Sequence, residues 1–178
     1  MSKKRNFFPT RKGRHMADHS TLIKSLSEKR KEKEKKLIDK VVLDFYTQAT
    51  KDTMIGHHFR KIQEFESLDI SPLTPPIEAF KSHLPRIQNF WYVQLLGEKN
   101  DDKEFQLLDV HKKLGVLPGE VGRWCTLFNE ILEQTKKLKE IQSDPQAQEL
   151  LLNWNKKINH FRDIFLSSPK LFGRGPAR

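Results

Sequence analysis

The stretch "HLPRIQNFWYVQLLGE", residues 83–98, decides the fold class and raises the first question about function. Leu84, Ile87 and Trp91 recur at steps of three and four, which predicts a helix with one buried face. The stretch begins with His83 and carries a proline at its third position, where we expect a bend. His83 is either a stray polar residue at a helix start or one wall of a site whose other walls lie elsewhere.

The same spacing of apolar residues continues on both sides of this stretch. No segment shows the alternation and tight turns of a hairpin, so the sequence predicts an all-α protein. Gly and Pro residues between 55 and 83 favour a loop-rich connection with short turns. We expect helices over residues 20–52, 77–97, 104–115, 117–141 and 144–166.

Charge divides the chain into a folded domain and appended segments. Residues 1–40 contain 14 Lys and Arg against 5 Asp and Glu, so they carry almost the whole net charge of +10. We expect a basic disordered tail over 1–19, a charged helical lead-in over 20–36, the folded domain over 37–167 and a C-terminal tail over 168–178. The basic arm could bind nucleic acid, an anionic membrane or an acidic partner, or be a solvated tail that aids solubility.

Several classes of protein are disfavoured by composition. Cys125 is the only cysteine, so an internal disulfide is impossible, and its apolar neighbours predict a buried, inert thiol. Glycine-rich phosphate loops and zinc-type ligand spacing are absent, and the pair His57 and His58 is expected to be solvated in a polar loop. No apolar run long enough for a signal peptide or a membrane span is present, which favours a soluble cytoplasmic protein without a transmembrane segment.

Four polar side chains lie on or beside apolar faces of different predicted helices: Tyr46, His83, His111 and Trp124. Each carries a polar atom that must be satisfied if it is buried. Taken singly, each is most simply a satisfied core residue. Two imidazoles, a phenol and an indole that converge in one helical core would instead suit a metal-bearing cofactor.

The order and type of several motifs resemble the truncated haemoglobins, within them the group III (P) branch, from about residue 37 to 167. The resemblance is carried by FY at 45–46, IGHHF at 55–59, HLPRIQNFW at 83–91, VHKKLG at 110–115, RWCTLF at 123–128 and INHFRDIF at 158–165. His83 precedes Trp91 by 8 residues and His111 precedes Trp124 by 13, as in that family. The resemblance implies a globin-like helical sandwich of the truncated two-over-two type.

The resemblance also implies roles for particular residues around haem b (iron protoporphyrin IX). His111 would be the axial ligand of the haem iron, Phe59 would pack on the porphyrin, and Phe90 and Trp91 would belong to the cofactor-binding wall. Tyr46, His83 and Trp124 would form the ligand pocket, and His83 could reach the iron as a sixth ligand. Lys81, Arg86 and Lys112 are basic and lie near the predicted edges of the pocket, so they are candidates for contacts with the haem propionates, although a basic side chain that faces solvent is the commoner explanation.

Two functions of different classes follow from these expectations. The first is a haem protein that binds O₂, NO or CO and, with an unidentified reductase, could convert NO and O₂ to nitrate or react with peroxide. Gas binding is the primary description, and enzymatic activity stays open. The second is a haem-free globin-fold sensor or interaction module whose basic N-terminal arm binds nucleic acid or an acidic partner.

Overall fold

The computed structural model of the protein describes residues 19–65, 76–99 and 107–172. Every regular element in these ranges is helical, which confirms the all-α class. No helix among these residues is both long enough and apolar enough to span a membrane. The elements in chain order are α1 (His19–Ala49), α2 (Gly56–Phe65), α3 (Pro76–Phe80), a 3₁₀ turn (Lys81–His83), α4 (Leu84–Leu96), α5 (Leu107–Leu114), α6 (Pro118–Lys136), α7 (Lys139–Gln142), α8 (Pro145–Ser167) and α9 (Pro169–Phe172).

The first half of α1 is an exposed helical extension that ion pairs connect to the rest of the protein. Lys31 Nζ and Lys35 Nζ lie 3.4 and 3.0 Å from Glu98 Oε1, and Lys33 Nζ lies 2.6 Å from Asp144 Oδ2. Surface pairs of this kind contribute about 0–1 kcal/mol each. Part of the predicted basic arm is therefore neutralised within the chain, while the tail predicted over 1–19 lies almost wholly outside the described residues.

The second half of α1 packs into the core against α4, α6 and α8. Ile38, Val41, Val42 and Phe45 are fully buried, in agreement with their spacing along the helix. Trp154 of α8 is also fully buried, and its ring centroid lies 5.0 Å from Trp91 and 5.4 Å from Phe128. These aromatic contacts join the three helices α4, α6 and α8 and stabilise the part of the core next to the candidate site.

The sequence prediction of a loop-rich connection over 55–83 is wrong for α2, and residues 66–75 lie outside the described part. The helix α2 starts directly after a turn in which Asp52 Oδ1 accepts hydrogen bonds from the backbone N–H groups of Met54 and Ile55, at 2.9 and 3.2 Å. Gly56 permits this tight start, because a Cβ atom there would lie 2.9 Å from the Thr50 carbonyl oxygen.

The same Asp52 carboxylate also connects this turn to α6. Arg123 donates from Nε and Nη2 to Asp52 Oδ2, both at 2.9 Å, so two guanidinium nitrogens bind one carboxylate oxygen. The Asp52 side chain is itself largely buried. Burial raises the pKa of Asp52, but hydrogen bonds from Arg123 and the two backbone N–H groups outweigh it, and the net pKa is lowered. The start of α2 is thereby positioned against α6.

We expect the Asp52→Asn variant to be less stable than the unaltered protein by about 1–2 kcal/mol at pH 7, because it loses a charge-assisted pair. The lowered pKa of Asp52 means that its stabilisation is present above the unfolded pKa, roughly 4, and is lost as the pH falls through the native pKa. Urea unfolding should therefore show a difference at pH 7 that shrinks towards pH 3.

The control is Asp44→Asn, which removes an exposed pair with Lys40 on α1 and should change stability by less than about 0.5 kcal/mol. Equal stability of Asp52→Asn and the unaltered protein at pH 7 would contradict the role given to the Asp52 and Arg123 pair.

The helix predicted over residues 77–97 is divided by a 3₁₀ turn that ends at His83. A single bent helix from Ile77 is not formed, because the 3₁₀ turn separates α3 from α4 and His83 is the residue that precedes α4. Pro85 occupies the first turn of α4, where a missing N–H group breaks no helical hydrogen bond. The helix ends at Gly97 with φ of 65°, a left-handed conformation that favours glycine.

The remaining helix ends mostly follow sequence signals. Gly115 ends α5 with φ of 69°, as predicted, and Asp144 Oδ1 accepts from the N–H groups of Gln146 and Ala147 at the start of α8. The C-terminal tail predicted from 168 contains instead the short helix α9, where Leu171 and Phe172 pack against the core. Their apolar side chains gain more from burial than from an extended exposed tail.

Candidate functional site

A cavity of about 240 Å³ lies among the helices, with a mainly apolar lining. Side chains from α1, α2, α3, the 3₁₀ turn, α4, α5, α6 and α8 contribute to its wall. The seven residues that the sequence analysis assigned to the cofactor or the ligand pocket all line this cavity: Tyr46, Phe59, His83, Phe90, Trp91, His111 and Trp124. The structure therefore brings these residues together, while the roles given to them stay predictions.

His111 lies on α5 with one ring nitrogen engaged by its own helix. Its Nδ1 atom lies 2.7 Å from the carbonyl oxygen of Leu107, one turn earlier, so Nδ1 must carry the proton and donate it. A neutral imidazole then has its lone pair on Nε2. Burial lowers the pKa of His111 more than this hydrogen bond raises it, so the net pKa lies below the usual value. The neutral form of the His111 ring is therefore favoured over the cation.

The His111 ring contacts Phe165 of α8 edge-on, with ring centroids 4.8 Å apart. This contact limits the rotation of an imidazole that the Leu107 hydrogen bond already orients. His111 is thus fixed by two neighbours from different helices.

A stack of rings forms another part of the wall. Phe80 lies between Tyr46 and His83, with centroid distances of 5.0 and 4.8 Å and nearly parallel planes. Phe59 contacts Tyr46 and Phe80 edge-on. Burial raises the pKa of Tyr46, so its phenol stays protonated and can donate at any physiological pH.

The indole of Trp124 reaches the cavity from α6. Its ring centroid lies 5.4 Å from Phe45 and 5.1 Å from Phe128, so the ring rests on the fully buried core. Phe90 and Trp91 of α4 are buried and contact each other at 5.1 Å. Aromatic packing therefore holds the donor groups in place and makes much of the wall apolar.

The prediction that His57 and His58 are solvated in a loop is wrong. Both lie on α2, where His58 is buried and its Nε2 atom is 2.9 Å from Glu120 Oε2. His57 is half-exposed, and its Nε2 atom is 3.4 Å from Glu120 Oε1. The physical reason is that Glu120, 62 positions later than His58, supplies a carboxylate that local sequence patterns do not reveal.

Sequence reasoning missed several residues of the wall. Phe80, His58 and Glu120 all line the cavity but were not selected as site residues. A signal for Glu120 is its place three residues after Leu117 at a helix start marked by proline, where its Oε2 accepts from the Leu117 N–H at 2.7 Å. His58 has no comparable local signal, because its partner lies on α6.

Cationic groups and a thiol complete the lining. Arg86 and Arg162 line the cavity, whereas Lys81 and Lys112 are not among the described residues that line it. Cys125 is buried in the wall, and burial raises the pKa of its thiol to about 11. The thiol is therefore protonated and poorly nucleophilic, as the sequence predicts.

Comparisons of the chain with protein-family models, with curated proteins and with solved structures return no match.

Proposed function

We propose that this chain is a haem-binding globin of the truncated type, with the cavity as the haem pocket and a helical sandwich of globin type as its fold. The observation that supports this most strongly is the hydrogen bond from His111 Nδ1 to the Leu107 carbonyl oxygen, in a ring that lines the cavity. Haem iron is commonly held by a histidine whose second nitrogen donates to a backbone carbonyl in this way.

The residues around the cavity fit such a group. His111 is neutral and oriented, which an axial imidazole requires. The aromatic side chains of Phe59, Phe90 and Trp91 provide flat apolar surfaces for a porphyrin. Arg86 and Arg162 are the cationic side chains of the lining that could pair with the two haem propionates. Of the three propionate contacts that the sequence suggested, Arg86 is the one that lines the cavity.

The haem would supply an iron that binds O₂, NO or CO and places partial negative charge on O₂. The chain's own contribution is a set of donors, namely the Tyr46 phenol and the ring N–H groups of His83 and Trp124. Fixed donors in a pocket poor in water stabilise such charge without reorganising. His83 lies at the end of the 3₁₀ turn and would be the second histidine available to the iron.

The pocket favours tight gas binding over rapid delivery, because several donors would slow the release of O₂. Reaction of NO with O₂ to give nitrate needs one electron per turnover, so this activity would require a reductase. A reaction with peroxide is the other chemistry we retain. Gas binding is the primary function proposed.

The experiment for gas binding is to load the full chain with haemin, reduce it with dithionite and add CO while the absorption spectrum is recorded. We expect the Soret band to shift on reduction and again with CO, at one CO per haem. A loaded chain whose spectrum does not respond to CO would contradict gas binding at the iron.

A further inference from the structure

A group of three side chains that could bind a metal ion lies between α2 and α6, and it does not include His111. One ring nitrogen of His57, one ring nitrogen of His58 and a carboxylate oxygen of Glu120 all lie within 4.8 Å of one another. We propose that these three side chains form a site for one divalent transition-metal ion of the zinc type. None of its three members has a role in the haem binding that we propose, although His58 and Glu120 also line the cavity.

The distances suit a tetrahedral ion. Bonds of about 2.0–2.1 Å at tetrahedral angles place neighbouring ligand atoms about 3.3 Å apart. His57 Nε2 lies 3.4 Å from Glu120 Oε1, close to this separation, whereas His58 Nε2 lies 2.9 Å from the other oxygen, Oε2. Because the three side chains each offer a ligand atom within 4.8 Å of the others, a rotation of the His58 ring away from Oε2 would complete the ligand set.

The two imidazoles face a carboxylate that is already ionised and anchored. Burial raises the pKa of Glu120, but the hydrogen bonds from the Leu117 N–H and from His58 lower it by more. The net pKa is therefore below the usual value. Both of those hydrogen bonds fall on Oε2, while Oε1 is the atom nearest to His57. Oε1 is thus the oxygen that we assign to the ion.

A hydrogen bond between His58 and Glu120, without any metal ion, is enough to account for the burial of His58. It does not account for the His57 ring, which lies 4.0 Å from the His58 ring between centroids and approaches the same carboxylate. The His57 side chain is 38% exposed, so water can reach the constellation and complete a fourth position. Two nitrogen ligands and one oxygen ligand favour Zn²⁺, Ni²⁺ or Cu²⁺ over Mg²⁺ or Ca²⁺.

The frame around the constellation is positioned without any ion. The pair of Asp52 with Arg123 joins the turn before α2 to α6, five residues before His57 in the chain and three after Glu120. Because this pair sets the spacing of the two helices, an ion would bind to a largely formed site. Preorganisation of this kind reduces the cost of binding.

The test is a Zn²⁺ titration of the full chain after removal of metals with a chelator, followed by calorimetry or by competition with a chromogenic chelator. We expect one Zn²⁺ per chain with a dissociation constant in the low micromolar range and no binding of Mg²⁺ at the same concentration. His57→Ala should weaken Zn²⁺ binding by about 10-fold or more. Glu120→Gln should do the same if circular dichroism shows that the variant is folded.

The matched controls separate this site from other histidines. His160→Ala removes an exposed imidazole on α8 and His111→Ala removes the cavity imidazole, and both should leave Zn²⁺ binding unchanged. His57→Ala is the deciding variant, because a half-exposed side chain can be shortened without unfolding the protein. Absence of stoichiometric binding, unchanged binding by His57→Ala, or loss of binding only in His111→Ala would each overturn the proposal.

Discussion

The His111→Ala variant, loaded with haemin, should lose its haem to an apoglobin acceptor at least about 100-fold faster than the unaltered protein. Changes to groups that merely orient a metal ligand already cost 10–100-fold in metal affinity, and removal of the ligand itself should cost no less. Under the proposal His111 would bind the iron through Nε2, because the hydrogen bond from Nδ1 to the Leu107 carbonyl oxygen leaves the lone pair on Nε2. The rate of haem transfer is followed by the absorption change of the acceptor.

The control for this experiment is His160→Ala, which removes an exposed histidine from α8. Its rate of haem loss should equal that of the unaltered protein. If His111→Ala retains haem as well as this control does, His111 is not the axial ligand and the proposed pocket is wrong in its main contact.

The Tyr46→Phe variant should release O₂ about 10- to 100-fold faster. A hydrogen bond to a charged partner contributes about 1.5–3 kcal/mol, and each 1.36 kcal/mol corresponds to a factor of ten in rate. Since burial raises the pKa of Tyr46, the phenol remains a donor across the pH range in which O₂ binds. The substitution keeps the ring, and with it the stack on Phe80. Stopped-flow displacement of O₂ by CO measures the rate.

The chain contains a matched control in its only other tyrosine. Tyr92 donates its hydroxyl hydrogen to Asp39, and it is not among the residues that line the cavity. Tyr92→Phe should leave O₂ release unchanged. An equal effect of both substitutions, or no effect of Tyr46→Phe, would remove the Tyr46 phenol from the mechanism.

The helices that sequence predicts well are those whose signals are local. The steps of three and four from Leu37 to Phe45 identify the buried face of α1, and Gly97, Gly115 and Asp144 mark helix ends through their own backbone or side-chain chemistry. Such signals depend on residues a few positions apart, so one sequence is enough to interpret them.

The features that sequence misses depend on distant partners. The helix α2 follows a turn held by Asp52, whose strongest partner is Arg123 on α6, 71 positions away. His58 likewise contacts a distant residue, Glu120. This contact accompanies the burial of a histidine that the sequence alone suggests is solvated. The steps of four and three from Ile55 through Phe59 to Ile62 do indicate a helix, but they do not identify the partner that accompanies the burial of His58.

The candidate site was identified from a different kind of signal. Tyr46, His83, His111 and Trp124 attract notice because each is a polar side chain on an apolar helix face, and the resemblance to truncated haemoglobins added Phe59, Phe90 and Trp91. The structure places all of them on one cavity, which neither periodicity nor composition alone could predict. Phe80 escaped selection because an apolar residue at helical spacing looks like ordinary core.

The measurement that tests the central claim most directly is a titration of the purified full chain with haemin, followed by absorption in the Soret region. We predict a band that grows linearly and breaks sharply at one haemin per chain. A band that grows without saturation, or that never exceeds the absorption of free haemin, would contradict the claim that this cavity is a haem pocket.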